Sequence, residues 1–335
     1  MNGFTKRLAA VVVAALAIAL APAALAQAKK QVKISHATAA DVANDNHMVA
    51  FIIASYINAN SDTLDARIYP ANQLGEERAV VEGMQLGAGA TMHIGGTAIH
   101  NNFNKRMGVL DLPFMWRNYE HAHHVLDGKV GETLAAEHEK LGLKVLGWQD
   151  SWGYRNVITS KKEVKRPEDL KGLKIRTIQT PTYVAALNAM GASATPMAFG
   201  EVYTALQTGV ADMGENGINN YLINKHYEPA PVLSLTEHEA NNAALFISDK
   251  AWSSLTDEQK KWVQAAADEV SQKEPAIAFD LEHQALAKLE KMGVKVVKDV
   301  DKSGFQQISK PIQDKLASDL GPNAVKVLGL VRNVQ

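Results

Sequence analysis

Residues 169–216 read DLKGLKIRTIQTPTYVAALNAMGASATPMAFGEVYTALQTGVADMGEN and contain the clearest fold signal of this sequence. The first part of this stretch, LKIRTI at 173–178, alternates apolar and polar residues, which predicts a short strand. A helix should follow, because Thr180 is a good N-cap residue and Pro181 suits a first helical turn. Arg176 is therefore expected near the point where the strand leads into the helix.

The second part of this stretch repeats the pattern. Residues 201–207 predict another helix, and a short strand at 210–214 is followed by Glu215 and Asn216. Two strand ends therefore converge on one edge of a sheet. Ligands of open α/β sheets bind outside the carboxyl ends of strands, so this edge is a candidate binding site.

Arg176 is the candidate anchor for an anionic ligand. A guanidinium group can donate two parallel, charge-assisted hydrogen bonds to a carboxylate, which suits it to organic acids. The alternative is an ion pair within the chain, with a nearby acid such as Asp169 or Glu201.

Several segments resemble the solute-binding proteins of TRAP (tripartite ATP-independent periplasmic) transporters, and together they cover essentially all of the chain after its N-terminus. These segments are KGLKIR (171–176), ATPMAFGEVYTALQTGVAD (194–212), EN (215–216), YPANQLGEERAVVEGMQLGA (69–88), LPF (112–114) and YRNVITSKKEVKRPEDLKG (154–172). The resemblance implies a binding protein that carries its ligand to a membrane permease.

The predicted fold class is α/β, a two-lobed periplasmic binding protein fold with mainly parallel sheets flanked by helices. Strand and helix patterns alternate along the chain, as they do in βαβ units. Thr256 and Gln259 form a capping-box pattern that begins a helix of about 36 residues, or about 54 Å if unbroken. Pro275 should kink or interrupt it. Family members have such a helix spanning both lobes.

The chain is predicted to begin with a secretory signal peptide, residues 1–26. Lys6 and Arg7 precede the apolar run 8–20, and an A-x-A pattern ends at Ala26. An uncleaved anchor is the alternative, but this run is short for a membrane span. With no cysteine there is neither a disulfide nor a lipid-modified cysteine. We therefore expect a freely diffusing periplasmic protein and not a lipoprotein.

We place the lobe boundaries at the predicted crossings of the chain. Lobe I should comprise residues 27–150 plus about 238–275, and lobe II residues 151–237 plus about 276–335. A chain of 335 residues with 46% hydrophobic and 21% charged residues is long enough for two such lobes.

Charge and motifs argue against several function classes. Of 35 Lys and Arg, 33 remain after the signal peptide against 36 Asp and Glu, which leaves a net charge near −3 and no support for nucleic-acid binding. There is no GxSxG, Walker, HExxH or dinucleotide motif. The cluster His121, His123 and His124 with Asp127 could hold a metal, but a solvated helix face is the simpler interpretation. We predict no enzyme activity, no metal site and no cofactor.

The resemblance also implies roles for residues of lobe II. Arg176 should bind the ligand carboxylate and Asn216 the same carboxylate or an adjacent hydroxyl. Phe199 should cover the apolar side of the ligand. Arg155 matches a second arginine position of the family, with an ion pair or a hinge contact as the alternative.

Further candidate ligand contacts in lobe I and at the crossings between the lobes are chosen for their predicted positions in the fold. Gln73 and Glu77 could contact hydroxyl groups, although Glu77 also suits a helix start. His36 should face the cleft from the end of the first strand, with a core histidine as the alternative. Trp148 and Trp152 flank the predicted crossing, where they could stack on a sugar-like face or simply pack.

The predicted ligand is a small organic acid, a hydroxylated sugar acid such as a uronate or aldonate. A C4-dicarboxylate is the alternative if both arginines reach the ligand. Lobe closure around the acid should precede docking on the TRAP permease, with the protein acting as a monomer. Two other readings stay open: a periplasmic sensor for a signalling partner, and a periplasmic hydrolase or isomerase that uses the histidine cluster.

Overall fold

The computed structural model describes residues 28–150, 153–240 and 242–334. The signal peptide prediction, residues 1–26, lies outside these residues. The strands of the described part are β1 (Lys30–Ser35), β2 (Leu64–Tyr69), β3 (Met92–Gly96), β4 (Leu143–Gln149), β5 (Tyr154–Thr159), β6 (Lys174–Thr177), β7 (Ser193–Pro196), β8 (Met213–Gly217), β9 (Val232–Ala240), β10 (Ala243–Ser248) and β11 (Lys295–Val297).

Helices flank these strands. They are α1 (Asp45–Asn60), α2 (Glu77–Leu86), α3 (Thr97–His100), α4 (Tyr119–Leu126), α5 (Lys129–Glu139), α6 (Pro181–Ala189), α7 (Val202–Thr208), α8 (Ile218–Ile223), α9 (Asp249–Ser253), α10 (Asp257–Lys291), α11 (Lys302–Leu320) and α12 (Pro322–Asn333). Short 3₁₀ turns occur at Lys105–Val109, Pro167–Leu170 and Phe199–Glu201.

The strands form two sheets, which confirms the two-lobed α/β prediction. The first sheet has the order β2-β1-β3-β10-β4 and the second the order β11-β9-β5-β8-β6-β7. Pairing is mixed: β1 is parallel to β2 and β3, and β6 to β7 and β8, whereas β10 is antiparallel to both of its neighbours and β5 to both of its own. A crossover helix returns the chain parallel to the preceding strand. The strands β5 and β10 instead enter from the other sheet, with no such helix before them.

The segment 119–139 forms two helices and not one continuous helix. The helix α4 ends at Leu126, and α5 begins at Lys129 with Gly128 as its N-cap residue. A Cβ at Gly128 would lie 2.7 Å from the carbonyl oxygen of His124. Glycine therefore permits the break, which the apolar periodicity alone did not reveal.

The long helix α10 joins the two lobes. Its capping box of Thr256 and Gln259 forms as predicted, and its 35 residues continue without interruption through Pro275. Val263 and Val270 in its first half pack in the core of the first sheet, and Leu289 in its second half packs in the core of the second sheet.

The C-terminal helices pack against elements of both lobes. Phe305 of α11 lies in a core beneath β6, and α12 packs against α5 and the turn Lys105–Val109 of the first lobe. The lobe boundaries given above stay a prediction. In the described part of the chain, no helix is long and apolar enough to cross a membrane.

Candidate functional site

A pocket lies between the two sheets, at the strand ends that the sequence predicted as a binding site. It encloses an empty volume of about 490 Å³, which includes solvent at its mouth. Its wall on the side of the first sheet consists of Ala37, Thr38, Glu76, Glu77 and Ile99. Its wall on the side of the second sheet consists of Arg155, Arg176, Ile178, Gln179, Met197, Ala198, Phe199, Asn216 and Asn220.

Arg176 lies in this pocket on β6, with only 3% of its surface exposed. Its Nη2 donates a 2.6 Å hydrogen bond to the carbonyl oxygen of Met197, while its buried Nε has no hydrogen-bond partner among the described residues. Burial lowers the pKa of Arg176 to about 10, although the carboxylate of Glu215 acts in the opposite direction. The guanidinium thus stays charged at neutral pH and keeps donor capacity for an anion.

Arg155 lies on β5 in the same pocket but has a partner within the protein. Its Nε donates to the carboxylate of Glu215, and its Nη2 donates a 2.7 Å hydrogen bond to the carbonyl oxygen of Glu215. Burial alone would lower the pKa of Arg155, but the carboxylate of Glu215 and the other acids nearby raise it above the ordinary value. Arg155 is therefore an ion-pair partner first, which was the alternative given for it above.

Asn216 lies on β8, directly opposite Asn156 of β5. Its Oδ1 accepts a 2.9 Å hydrogen bond from the backbone N–H of Gly217, and its side-chain NH₂ makes no hydrogen bond to the described residues. Asn216 therefore has a free donor and lines the same pocket as Arg176. Phe199 supplies an apolar part of the wall, with its ring edge-on to His226 at 5.7 Å.

Glu77 lies opposite these groups, as the first residue of α2. Its side chain is only 11% exposed, its Oε1 has no hydrogen-bond partner in the described structure, and the nearest cationic candidate, Nε2 of His93, is 3.9 Å away. A helix N-terminus favours a negative charge. Burial nevertheless raises the pKa of Glu77 to about 7, and Arg176 and Arg155 only partly oppose this.

Three of the predicted residues, Gln73, His36 and Trp148, do not line the pocket in the described structure. Gln73 is exposed, on a turn in which Asn72 has a φ of 58°. His36 is buried beneath the wall, where its Nδ1 contacts Thr38 Oγ1 at 3.0 Å, and burial lowers its pKa to about 3. Trp148 packs in the core of the first lobe. Trp152 lies outside the described residues.

Asn220 is a polar pocket residue that the sequence did not single out. It lies on α8, a helix of 6 residues that directly follows β8. So short a helix carries no periodic pattern from which to deduce the face that Asn220 occupies. The one feature that could have indicated a binding role is that Asn220 is a polar residue just after the end of a strand.

Within the histidine cluster, His123 is held by two carboxylates of the chain. Nδ1 of His123 lies 3.1 Å from Asp127 Oδ2, and its Nε2 lies 2.8 Å from Asp150 Oδ2. The hydrogen bond to Asp150, with help from Asp127, raises the pKa of His123 to about 9. Among residues 28–150, 153–240 and 242–334, no group of three or more His, Cys, Asp or Glu could hold a metal ion.

Hydrogen bonds join the two lobes beside the pocket. Nδ2 of Asn101 donates to Thr182 Oγ1 at 2.7 Å, and Nδ2 of Asn102 donates to the carbonyl oxygen of Gln179 at 3.1 Å. Both donors lie on the side of the first sheet and both acceptors on the side of the second. The structure thus shows the lobes closed over the pocket.

Comparison with known proteins gives a consistent result. The family model of bacterial extracellular solute-binding proteins, family 7 (DctP), matches residues 58–319. The 2,3-diketo-L-gulonate-binding periplasmic protein YiaO of Escherichia coli is 34% identical over 274 residues, which are 81% of this chain and 82% of that protein.

Solved structures resemble the whole fold. A TRAP periplasmic solute-binding protein from Polaromonas, bound to D-erythronate, has a TM-score of 0.86 and 29% identity, with 92% of this chain and 99% of that chain covered. One from a Bradyrhizobium species, in complex with D-galacturonate, has a TM-score of 0.83 and 30% identity, with 91% and 99% covered.

Proposed function

The chain belongs to the bacterial extracellular solute-binding proteins of family 7, the receptors of TRAP transporters, and we propose that it captures a hydroxylated sugar acid for uptake. The members of this family bind solutes and do not convert them, so the chain is a binding protein and not an enzyme. The ligand class is a monocarboxylate such as a uronate or an aldonate. The closed, loaded protein would deliver it to a TRAP permease.

The observation that carries this proposal is the unsatisfied guanidinium of Arg176. A buried charged group without a full set of hydrogen bonds is unfavourable, and a carboxylate would supply both the charge and the acceptors that it lacks. Asn216 lies in the same pocket with a free amide donor. An acid bound to Arg176 would thus also be within the reach of a neutral donor.

Hydroxyl groups on the ligand fit the remaining wall. Glu77, Asn216 and Asn220 can exchange hydrogen bonds with hydroxyls, and Phe199 and Ile178 can cover the C–H face of the ligand. The relatives also favour this class, because YiaO is named for 2,3-diketo-L-gulonate and the two solved relatives hold D-erythronate and D-galacturonate.

A C4-dicarboxylate is the second candidate that the sequence left open. It would need a second cationic group for its second carboxylate. The candidate is Arg155, which lies in the same pocket wall as Arg176, but Glu215 already balances its charge within the protein. A monocarboxylate is therefore the better match to the charges of this pocket.

The site implies a mechanism of capture by closure. The ligand carboxylate on Arg176 of the second lobe and the polar groups on Glu77 of the first would stabilise the closed arrangement, which shifts an existing equilibrium between open and closed forms. The lobes would rotate about the crossings after β4 and β9, with lobe boundaries near 151 and 238, and the protein would act as a monomer.

The proposal includes export to the periplasm, with cleavage near Ala26. The basic residues and apolar run at 6–20 support it, as does the description of YiaO as periplasmic. The absence of cysteine supports a form without a lipid anchor.

The test is a thermal-shift screen of the signal-free chain, residues 27–335, against uronates, aldonates, C4-dicarboxylates and 2-oxo acids. We expect a rise in melting temperature with one of the uronates or aldonates and confirmation by calorimetry. A rise with C4-dicarboxylates alone would show that the ligand is a dicarboxylate and not a sugar acid. No rise with any acid would contradict the proposal.

A further inference from the structure

We infer that Asn220 is a ligand-contacting donor that determines specificity, and that Asn44 fixes its orientation from the other side of the cleft. The inference rests on the proposed function, since it concerns how the same pocket recognises its ligand. Asn44 is the N-cap residue of α1 and does not line the pocket. Its Nδ2 donates to Asn220 Oδ1 at 2.9 Å, and Asn220 does line it.

Two backbone groups settle which way these side-chain amides point. The oxygen and nitrogen of an asparagine amide are interchangeable by shape, so only an unambiguous partner can decide between them. The backbone N–H of His47 can only donate, and it donates to Asn44 Oδ1 at 3.3 Å. The carbonyl oxygen of Ala43 can only accept, and it accepts from Asn219 Nδ2 at 2.7 Å. The NH₂ of Asn44 therefore points across the cleft, towards Asn219 and Asn220.

A second contact holds Asn44 in the same orientation. The hydroxyl of Thr38 donates to Asn44 Oδ1 at 2.6 Å, so its only hydrogen is used there. Nδ1 of His36, which lies 3.0 Å from the same hydroxyl oxygen, must then carry the hydrogen of that bond. His36 is buried and its lowered pKa keeps the ring neutral, so the hydrogen on Nδ1 leaves Nε2 as the acceptor towards His47 Nδ1. The hydrogen bonds therefore run in one direction, from the histidines to Asn44.

The orientation of Asn220 follows from that of Asn44. The atom of Asn220 that meets the NH₂ of Asn44 must be its oxygen, so its own NH₂ is left over. That NH₂ makes no hydrogen bond to the described residues, and Asn220 is 2% exposed in the pocket wall. Asn220 thus turns its amide donor towards the ligand, while its Oδ1 is engaged by Asn44. A carboxylate, carbonyl or hydroxyl oxygen satisfies that donor, whereas a group that can only donate is rejected.

Closure and recognition are linked by this arrangement. Asn44 belongs to the first lobe and Asn220 to the second, so the hydrogen bond between them forms only when the lobes meet. In an open form the amide of Asn220 could turn either way. The pocket therefore acquires its full donor pattern when it closes.

The experiment replaces Asn44 by residues that keep the helix cap. Asp and Ser are both good N-cap residues, so Asn44→Asp and Asn44→Ser should fold. Affinity is measured by calorimetry with D-galacturonate and D-erythronate. We expect Asn44→Ser, whose shorter hydroxyl side chain does not reach Asn220 Oδ1, to bind about 3- to 10-fold more weakly, and Asn44→Asp, which sets an acceptor against Asn220 Oδ1, about 30-fold or more. Equal losses in the two variants, or no loss, would overturn the inference.

Asn102→Asp is the matched control. It alters another amide that crosses the cleft, to the carbonyl oxygen of Gln179, and that has no contact with Asn220. If Asn44 merely holds the lobes together, Asn102→Asp and Asn44→Asp should weaken binding equally. We expect the loss for Asn44→Asp to be at least about 5-fold larger, and to shrink to less than about 3-fold when Asn220 is already alanine.

A readout without ligand separates this inference from the proposed function. The chain has no cysteine, so Leu86→Cys and Val210→Cys, one on each lobe and 75% and 57% exposed, accept single spin labels. In ligand-free protein we expect Asn44→Asp to shift the distance distribution towards longer values. If the wild-type chain binds neither acid, the proposed ligand class is wrong. The distance measurement still tests whether Asn44 links the two lobes, because it needs no ligand. Identical distributions in wild type and Asn44→Asp would refute the role of Asn44.

Discussion

Arg155 and Glu215 form a buried ion pair, in which Nη2 of Arg155 also donates a 2.7 Å hydrogen bond to the carbonyl oxygen of Glu215. Thr177 donates to the same carboxylate from the neighbouring strand, at 3.1 Å. The pair balances the charge of Arg155 within the protein and leaves Arg176 as the arginine of the pocket wall that has no ion-pair partner among the described residues. The two arginines therefore have different tasks, although the sequence presents them alike.

Replacing Arg176 by lysine should weaken ligand binding strongly. Lysine keeps the charge but cannot reproduce the two parallel donors of the guanidinium. We expect a loss of about 2–5 kcal/mol in binding free energy, at least about 30-fold in Kd, by calorimetry with the acid found in the screen. Arg78→Lys, at a surface pair with Glu82 that is more than half exposed, is the control and should leave Kd unchanged. Equal affinity of Arg176→Lys and wild type would refute the anchor role.

Replacing Glu215 by glutamine should destabilise the fold. The change leaves Arg155 buried without its counter-charge, and breaking such a pair typically costs about 3–5 kcal/mol. The measurement is the free energy of unfolding from urea titration at pH 7. Glu82→Gln removes one partner of the exposed pair and should cost less than about 1 kcal/mol. A cost for Glu215→Gln as small as this would show that the pair contributes little.

The sequence predicted the helices and the long connection better than the strands of the site. The capping box of Thr256 and Gln259 is a local signal, and it marks the start of α10 correctly. The strand expected at 210–214 is in fact Met213–Gly217, which places Glu215 and Asn216 within the buried strand. Its sequence, MGENG, has little intrinsic preference for a strand, and pairing with β5 and β6 decides its limits.

Local sequence patterns did not predict which side chains of the first lobe form the pocket wall. Glu77 and Gln73 lie four residues apart around a turn, and only the first enters the pocket. His36 turns away to Thr38 and His47, a choice that depends on how α1 packs. These side-chain directions follow from tertiary contacts, which no single segment of the sequence encodes.

The stability of the protein should depend on pH through Glu77. Burial raises its pKa from 4.5 to about 7, against the opposing effect of Arg176 and Arg155, while Glu76 adds to the rise and His93 faces it at 3.9 Å. Between pH 4.5 and 7 the folded state holds this proton more often than the unfolded state, so the group lowers the free energy of unfolding as pH rises through that window. Glu77→Gln should remove this dependence.

Comparing Glu77→Gln with wild type separates the contribution of Glu77 to the pH dependence of stability from the contributions of other buried acids. Asp111 and Glu282 also have pKa values raised to about 7 by burial, so the total pH dependence has several sources. The difference in unfolding free energy between variant and wild type should be small below pH 4.5 and reach on the order of 1–3 kcal/mol in favour of the variant above pH 7. A difference that is flat from pH 4 to 8 would show that Glu77 does not carry the raised pKa.

His123 should stabilise the fold at acidic and neutral pH. Its hydrogen bond to Asp150, with that to Asp127, raises its pKa from 6.5 to about 9. The stabilisation is fully present below pH 6.5 and is lost as pH rises through 9, because only the protonated ring gains from both carboxylates. His123→Gln should therefore cost on the order of 1–2 kcal/mol at pH 6 and almost nothing at pH 10, by urea unfolding at both values. Asp127→Asn, which removes the more exposed partner, should keep most of the dependence. A cost for His123→Gln that is equal at pH 6 and pH 10 would mean that packing, and not charge, is what His123 contributes beside the crossing between the lobes.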